Sequence, residues 1–136
     1  MPSDLIRIAL AVIVFAHGIG HVLFLGPVLG LGAWAGQTGH SWVLTGVLGD
    51  GAARAVATLL WSAVIVLFTA GVAGFLAGAD WWRATTIVAA GLSIAGIALF
   101  WDGIATTNAI FALVTDVLIL GGLLLAHWPS TELAGS

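Results

Sequence analysis

The sequence predicts an all-α membrane protein, a four-transmembrane-helix up-down bundle with a long apolar, glycine-rich connector between helices 1 and 2. Three observations carry this. Hydrophobic residues make up 61% of the chain and charged residues 7%, against roughly a quarter charged in a soluble domain. The apolar residues fall into four runs, each near the roughly 20 residues that cross a 30 Å hydrocarbon core. Tryptophans or lone charges close the runs, where the headgroup boundary favours them. At 136 residues, residues 1–136 read as one integral membrane domain.

The first run, about residues 5–25, is long enough to span. Arg7 near its start and the small residues Ala33 and Ala35 around Trp34 also suit a secretory signal with a cleavage site. Signal cores, however, have about 7–15 apolar residues, and two histidines are foreign to them, so a span is expected. The connector, residues 26–51, holds Trp34, His40 and Trp42 among leucines and valines, too apolar for a solvated loop. Within it 41–48 suits a short helix, and the segment is expected to fold back over the bundle as a cap.

The second, third and fourth runs cover about residues 52–77, 84–100 and 106–127. Short polar joins around Asp80 and Asp102 make these helices antiparallel neighbours. Trp81, Trp82, Trp101 and Trp128 read as interfacial anchors. Ala70, Gly74 and Gly78 form a small-residue stripe on the second run, suited to close helix packing within the chain or against another copy. Arg7 and Arg83 fall on one side and Arg54 on the other, which places both termini in the cytoplasm of a prokaryotic-type plasma membrane.

Composition excludes several functions. The net charge is -3, with three Lys+Arg in all, so the clustered cations that nucleic acid requires are missing. Cysteine is absent, which removes disulfides, thiolate metal sites and iron–sulfur clusters. No GxSxG, HExxH or phosphate-binding GxxxxGK motif occurs, and Ser41 beside His40 lacks a third catalytic partner. No catalytic residue is assigned.

What remains is a set of polar residues inside the spans. His17 and His21 stand four apart, hence on one helix face, where two imidazoles can share a metal ion or relay a proton. Further metal ligands would come from His40, Asp102 or Asp116. Asp116 lies near the middle of the fourth run, where a lone carboxylate costs roughly 2.5–3.5 kcal/mol on insertion scales; it is expected to face protein. Rising about 1.5 Å per residue, His17 and Asp116 reach similar depths, so the two are expected to meet, with Thr115, Ser93 and Thr69 around them. A b-type haem is disfavoured, because its axial ligands approach opposite porphyrin faces whereas His17 and His21 share one helix. His127 falls too near the far end of helix four and reads as an interfacial residue.

Arg7-Ile8-Ala9-Leu10, continuing to Phe15-Ala16-His17-Gly18-Ile19-Gly20-His21, resembles the first helix of the DoxX-like family of small four-helix membrane proteins. Arg7 and Gly18 match that pattern, while His21 stands where the family usually has lysine. The resemblance implies a four-helix bundle and, for some relatives, a small subunit associated with quinone-linked oxidoreductases.

Three functions are therefore expected to compete. One is binding of a quinone or lipid beneath the connector, with His17, His21, Asp116, Ser93 and Thr115 as ligand-binding residues. Another is an accessory or structural subunit of a larger membrane complex, or a homo-oligomer, in the lipid bilayer. The third is metal binding or transport through His17 and His21.

Overall fold

The structure, a computed structural model, describes residues 2–32, 36–130 and 133, and among these every regular element is helical. The triplet Ala33, Trp34 and Ala35, weighed above as a cleavage site, lies outside the described residues. Among the described residues, four segments are long and apolar enough to cross a membrane: Ser3–Val28, Asp50–Ala77, Trp82–Leu99 and Thr106–Leu125. The chain is an integral membrane protein on these grounds.

The first span comprises two consecutive helices, α1 (Pro2–Gly20) and α2 (Val22–Val28), separated by His21. There the His21 N–H bonds the Gly18 carbonyl at 3.2 Å, three residues back instead of four, which strips the His17 carbonyl of its helical donor. The imidazole replaces it: His21 Nδ1 lies 3.1 Å from the His17 oxygen and 3.2 Å from that of Gly18. The single helix expected over 5–25 is thus interrupted by one of its own polar residues.

A short helix, α3 (Leu44–Leu48), precedes α4 (Asp50–Ala77). Gly78 ends α4 with a left-handed φ of 68°, and the Ala79 N–H returns 2.9 Å to the Gly74 carbonyl; glycine tolerates that geometry without a Cβ penalty. Then come α5 (Trp82–Leu99), a 3-10 turn (Trp101–Gly103) and α6 (Thr106–Leu120). The expected helix over 106–127 loosens into a π-helical turn at Gly121–Leu125, where the Ala126 N–H reaches the Gly121 carbonyl five residues back at 3.0 Å.

α4 is central, packing closely on α1, α2, α3 and α5, while α5 packs on α6. The main core joins Phe24, Trp61, Val64 and Phe68 to the small residues Ala89, Ala90, Ala109 and Ala112. Leu5, Val12, Leu59, Val66, Phe111 and Leu118 face outward, a surface suited to acyl chains rather than water. In lipid, close van der Waals contact holds helices together, and glycines supply it. A Cβ on Gly18 would overlap Phe68, and one on Gly74 would stand 2.8 Å from the Trp81 ring. Gly74 of the small-residue stripe is therefore used inside the chain, against the segment entering α5.

Arginines close two helix ends. Arg7 donates to the carbonyls of Phe75 and Leu76 at 3.0 and 2.8 Å, and Arg83 to those of Leu123 and Pro129 at 3.0 and 2.8 Å. The Phe75, Leu76 and Leu123 carbonyls lie at the ends of α4 and the last span, where helices leave acceptors unsatisfied and the dipole favours cations, and the Pro129 carbonyl lies just beyond the last span.

At the other end, the connector is tied to the end of α5 and the 3-10 turn. Ser41 Oγ donates to the Leu99 carbonyl at 2.5 Å and Trp42 Nε1 to that of Ala98 at 2.8 Å. Asp102 accepts from the Trp42 N–H at 2.9 Å and pairs with His40 Nδ1 at 2.5 Å.

Candidate functional site

His17 and Asp116 meet: His17 Nε2 stands 2.7 Å from Asp116 Oδ1, joining α1 to α6. One proton lies in that bond, carried by the nitrogen or by the carboxyl. Next to it, His21 Nε2 is 2.7 Å from Ser93 Oγ on α5. Asp116 and Ser93 are 0% exposed, His21 1% and His17 9%, so each of the two pairs relies on protein partners for its hydrogen bonds.

The break at His21 sets the chemistry of its ring. Both partners of Nδ1 are carbonyl oxygens, which only accept, so Nδ1 carries a proton; in the neutral ring Nε2 is then the acceptor and the Ser93 hydroxyl donates to it. The backbone irregularity thus fixes a tautomer and aims one nitrogen lone pair into the bundle.

Aromatic side chains wall the cluster. The Phe68 ring meets His17 edge-on at 5.0 Å and stacks on His21 at 5.9 Å, while Phe24 and Trp61 lie 5.4 and 5.8 Å from His21. Within this box the second carboxylate oxygen, Asp116 Oδ2, is buried and has no hydrogen-bond partner among the described residues. A buried polar atom left this way costs about 1–3 kcal/mol, and it is an acceptor available to a ligand.

The other expected residues go elsewhere. Thr69 is exposed and Thr115 half-buried, their hydroxyls donating to Ile65 and Phe111 one turn back at 2.8 and 2.9 Å. Thr115 precedes Asp116 by one residue, a step of about 100° that turns it off the His17–Asp116 contact and onto the wall of the adjoining cleft. His40 and Asp102 bond each other at the connector and bring no ligand to His17 or His21. His127 is exposed just past the π turn. Ser41 is spent on the Leu99 carbonyl and the Leu44 N–H. Phe68 and Trp61 were missed from sequence, where nothing distinguishes an aromatic that will flank a histidine from one that faces lipid.

A cavity of about 230 Å³ opens between α1 and the last span, walled by Leu10, Val14, Val72, Phe75, Trp82 and Ile119. Val14 precedes His17 by three residues, Ile119 follows Asp116 by three and Val72 follows Phe68 by four, so on helical spacing the cleft ends one turn from the cluster. Ile13 and Leu118 flank its mouth and are exposed. It extends toward Trp128 and Pro129, away from the connector that was expected to lie over a ligand.

Comparison with known protein families, curated proteins and solved structures gave no match to this chain.

Proposed function

We propose that the protein binds a membrane amphiphile with a compact polar head, of the quinone class, in the cleft between α1 and α6, with the His17–Asp116 pair at its inner end. The carrying observation is the unpartnered, buried Asp116 Oδ2 one helical turn beyond an approach that is apolar except for Thr86 and Thr115, whose hydroxyls are bonded within their own helices. Sites for hydrophobic ligands take this form, an apolar pocket with few convergent polar groups. A quinone carbonyl accepts a hydrogen bond from His17, a quinol hydroxyl donates to Asp116, and the shared proton moves between them.

The layout belonging to this reading is an up-down bundle with both termini cytoplasmic and the connector covering the outer end. Its support is that Arg7 and Arg83 bond helix ends on the side away from the connector, with Arg54 near the start of α4. The DoxX-like resemblance of the first helix adds the four-span layout and nothing about the ligand.

Trp82 and Trp128 line the cleft and provide the test. A short-chain quinone added to protein in mild detergent is expected to quench tryptophan fluorescence saturably. Ala11→Phe, which fills the cleft, abolishes the saturable phase, and Asp116→Asn weakens it about tenfold, the loss of a charged hydrogen bond. Quenching that is linear in quinone, or unchanged in both variants, would refute the proposal.

A further inference from the structure

We infer that His17, His21 and Asp116 also form a binding site for a divalent transition-metal ion of the zinc and cobalt class. One donor atom from each of the three lies within 4.8 Å of the other two, and all are buried or nearly so. Two imidazoles and one carboxylate select a borderline ion: magnesium and calcium prefer oxygen alone, and copper(I) prefers sulfur. Zinc with such ligands keeps bonds of about 2.0–2.2 Å, which separates tetrahedral donors by about 3.3 Å. Drawing the three donors to that spacing opens the His17–Asp116 contact, now 2.7 Å, by about 0.6 Å and closes the widest gap by at most about 1.5 Å, within the range of side-chain rotation, and the proton shared by His17 and Asp116 is released to solvent as the ion binds.

Two features prepare the site. His21 donates Nδ1–H to backbone carbonyls, the arrangement that orients metal-bound histidines and directs the other nitrogen at the ion. Its Nε2 lone pair now accepts from Ser93 Oγ and is transferred to the ion, freeing the hydroxyl. Asp116 Oδ2, buried without a partner, can accept that hydroxyl or bind the ion while Oδ1 does the other. The three protein ligands leave a fourth position for water or another ligand, the pattern of zinc sites that exchange a ligand.

This inference goes beyond the cleft reading and does not need the cleft to have an occupant. Untagged protein in mild detergent, stripped with chelator, is titrated with cobalt(II). The expected result is one ion per chain with the intense visible absorption of tetrahedral cobalt, displaced by zinc. His17→Gln, His21→Gln and Asp116→Asn each weaken binding by more than about a hundredfold, beyond the loss seen when only a supporting residue is removed. His40→Ala and the cleft-filling Ala11→Phe leave it unchanged. Absence of a stoichiometric ion in the unaltered protein overturns the inference whatever the variants do, and so does binding that survives in the three ligand variants. Failure of cobalt binding leaves the quinone titration untouched, and the reverse also holds.

Discussion

Gly18 packs so closely on Phe68 that a methyl group added to the glycine would overlap the aromatic side chain. Through this contact the first span approaches α4 between His17 and His21, and Phe68 touches both imidazoles. Packing and site are thus set by the same pair of residues.

Gly18→Ala is therefore expected to destabilise by about 1–3 kcal/mol, the usual cost of overpacking, read as a lowered unfolding midpoint in detergent. Gly91 is the control. It lies within α5 with open space where its Cβ would go, so Gly91→Ala should be neutral or stabilise by up to about 1 kcal/mol. Equal effects at both positions would show that the close approach has no energetic weight.

The bond between His17 and Asp116 predicts coupling in a double-mutant cycle. Membrane hydrogen bonds average about 0.6 kcal/mol and reach about 1.7, and a buried charged partner places this one toward the upper figure. His17→Ala and Asp116→Ala, measured singly and together by denaturant unfolding, should be non-additive by that amount. Additivity within about 0.3 kcal/mol would mean that the two residues do not interact.

Ser93→Ala is expected to cost about 1 kcal/mol, because it leaves His21 Nε2 buried without its donor. Thr115→Ala and Thr69→Ala should stay within about 0.5 kcal/mol, since each hydroxyl serves only its own helix. The same unfolding assay ranks the three, and a larger loss at either threonine would contradict the assignment.

Asp102→Ala removes the acceptor of both the Trp42 N–H and His40. Exposed pairs contribute about 0–1 kcal/mol, so global stability should change little. Amide exchange over residues 38–44 should instead accelerate, as expected for local opening. Unchanged exchange there would show that the tether holds without Asp102.

The spans were legible because burial in lipid is written into composition: the runs at 52–77 and 84–100 differ by two residues or fewer from α4 and α5. Depth counting brought His17 level with Asp116 since a helix rises uniformly. The break at His21 was not legible, because it arises from competition between a side chain and the backbone for one carbonyl, which periodicity does not register. Ser93 was placed near the cluster but not on His21, a choice decided by helix rotation. Arg7 and Arg83 were read as charges marking a membrane side, yet each is held by carbonyls that a sequence does not display.

The mouth flanked by Ile13 and Leu118 changes the unit in which a ligand's concentration counts. A guest reaching it travels in two dimensions among the acyl chains, so occupancy follows its mole fraction in the bilayer and is indifferent to the volume of water outside. Diluting vesicles would leave the guest in place, whereas fusing them with blank lipid would draw it out.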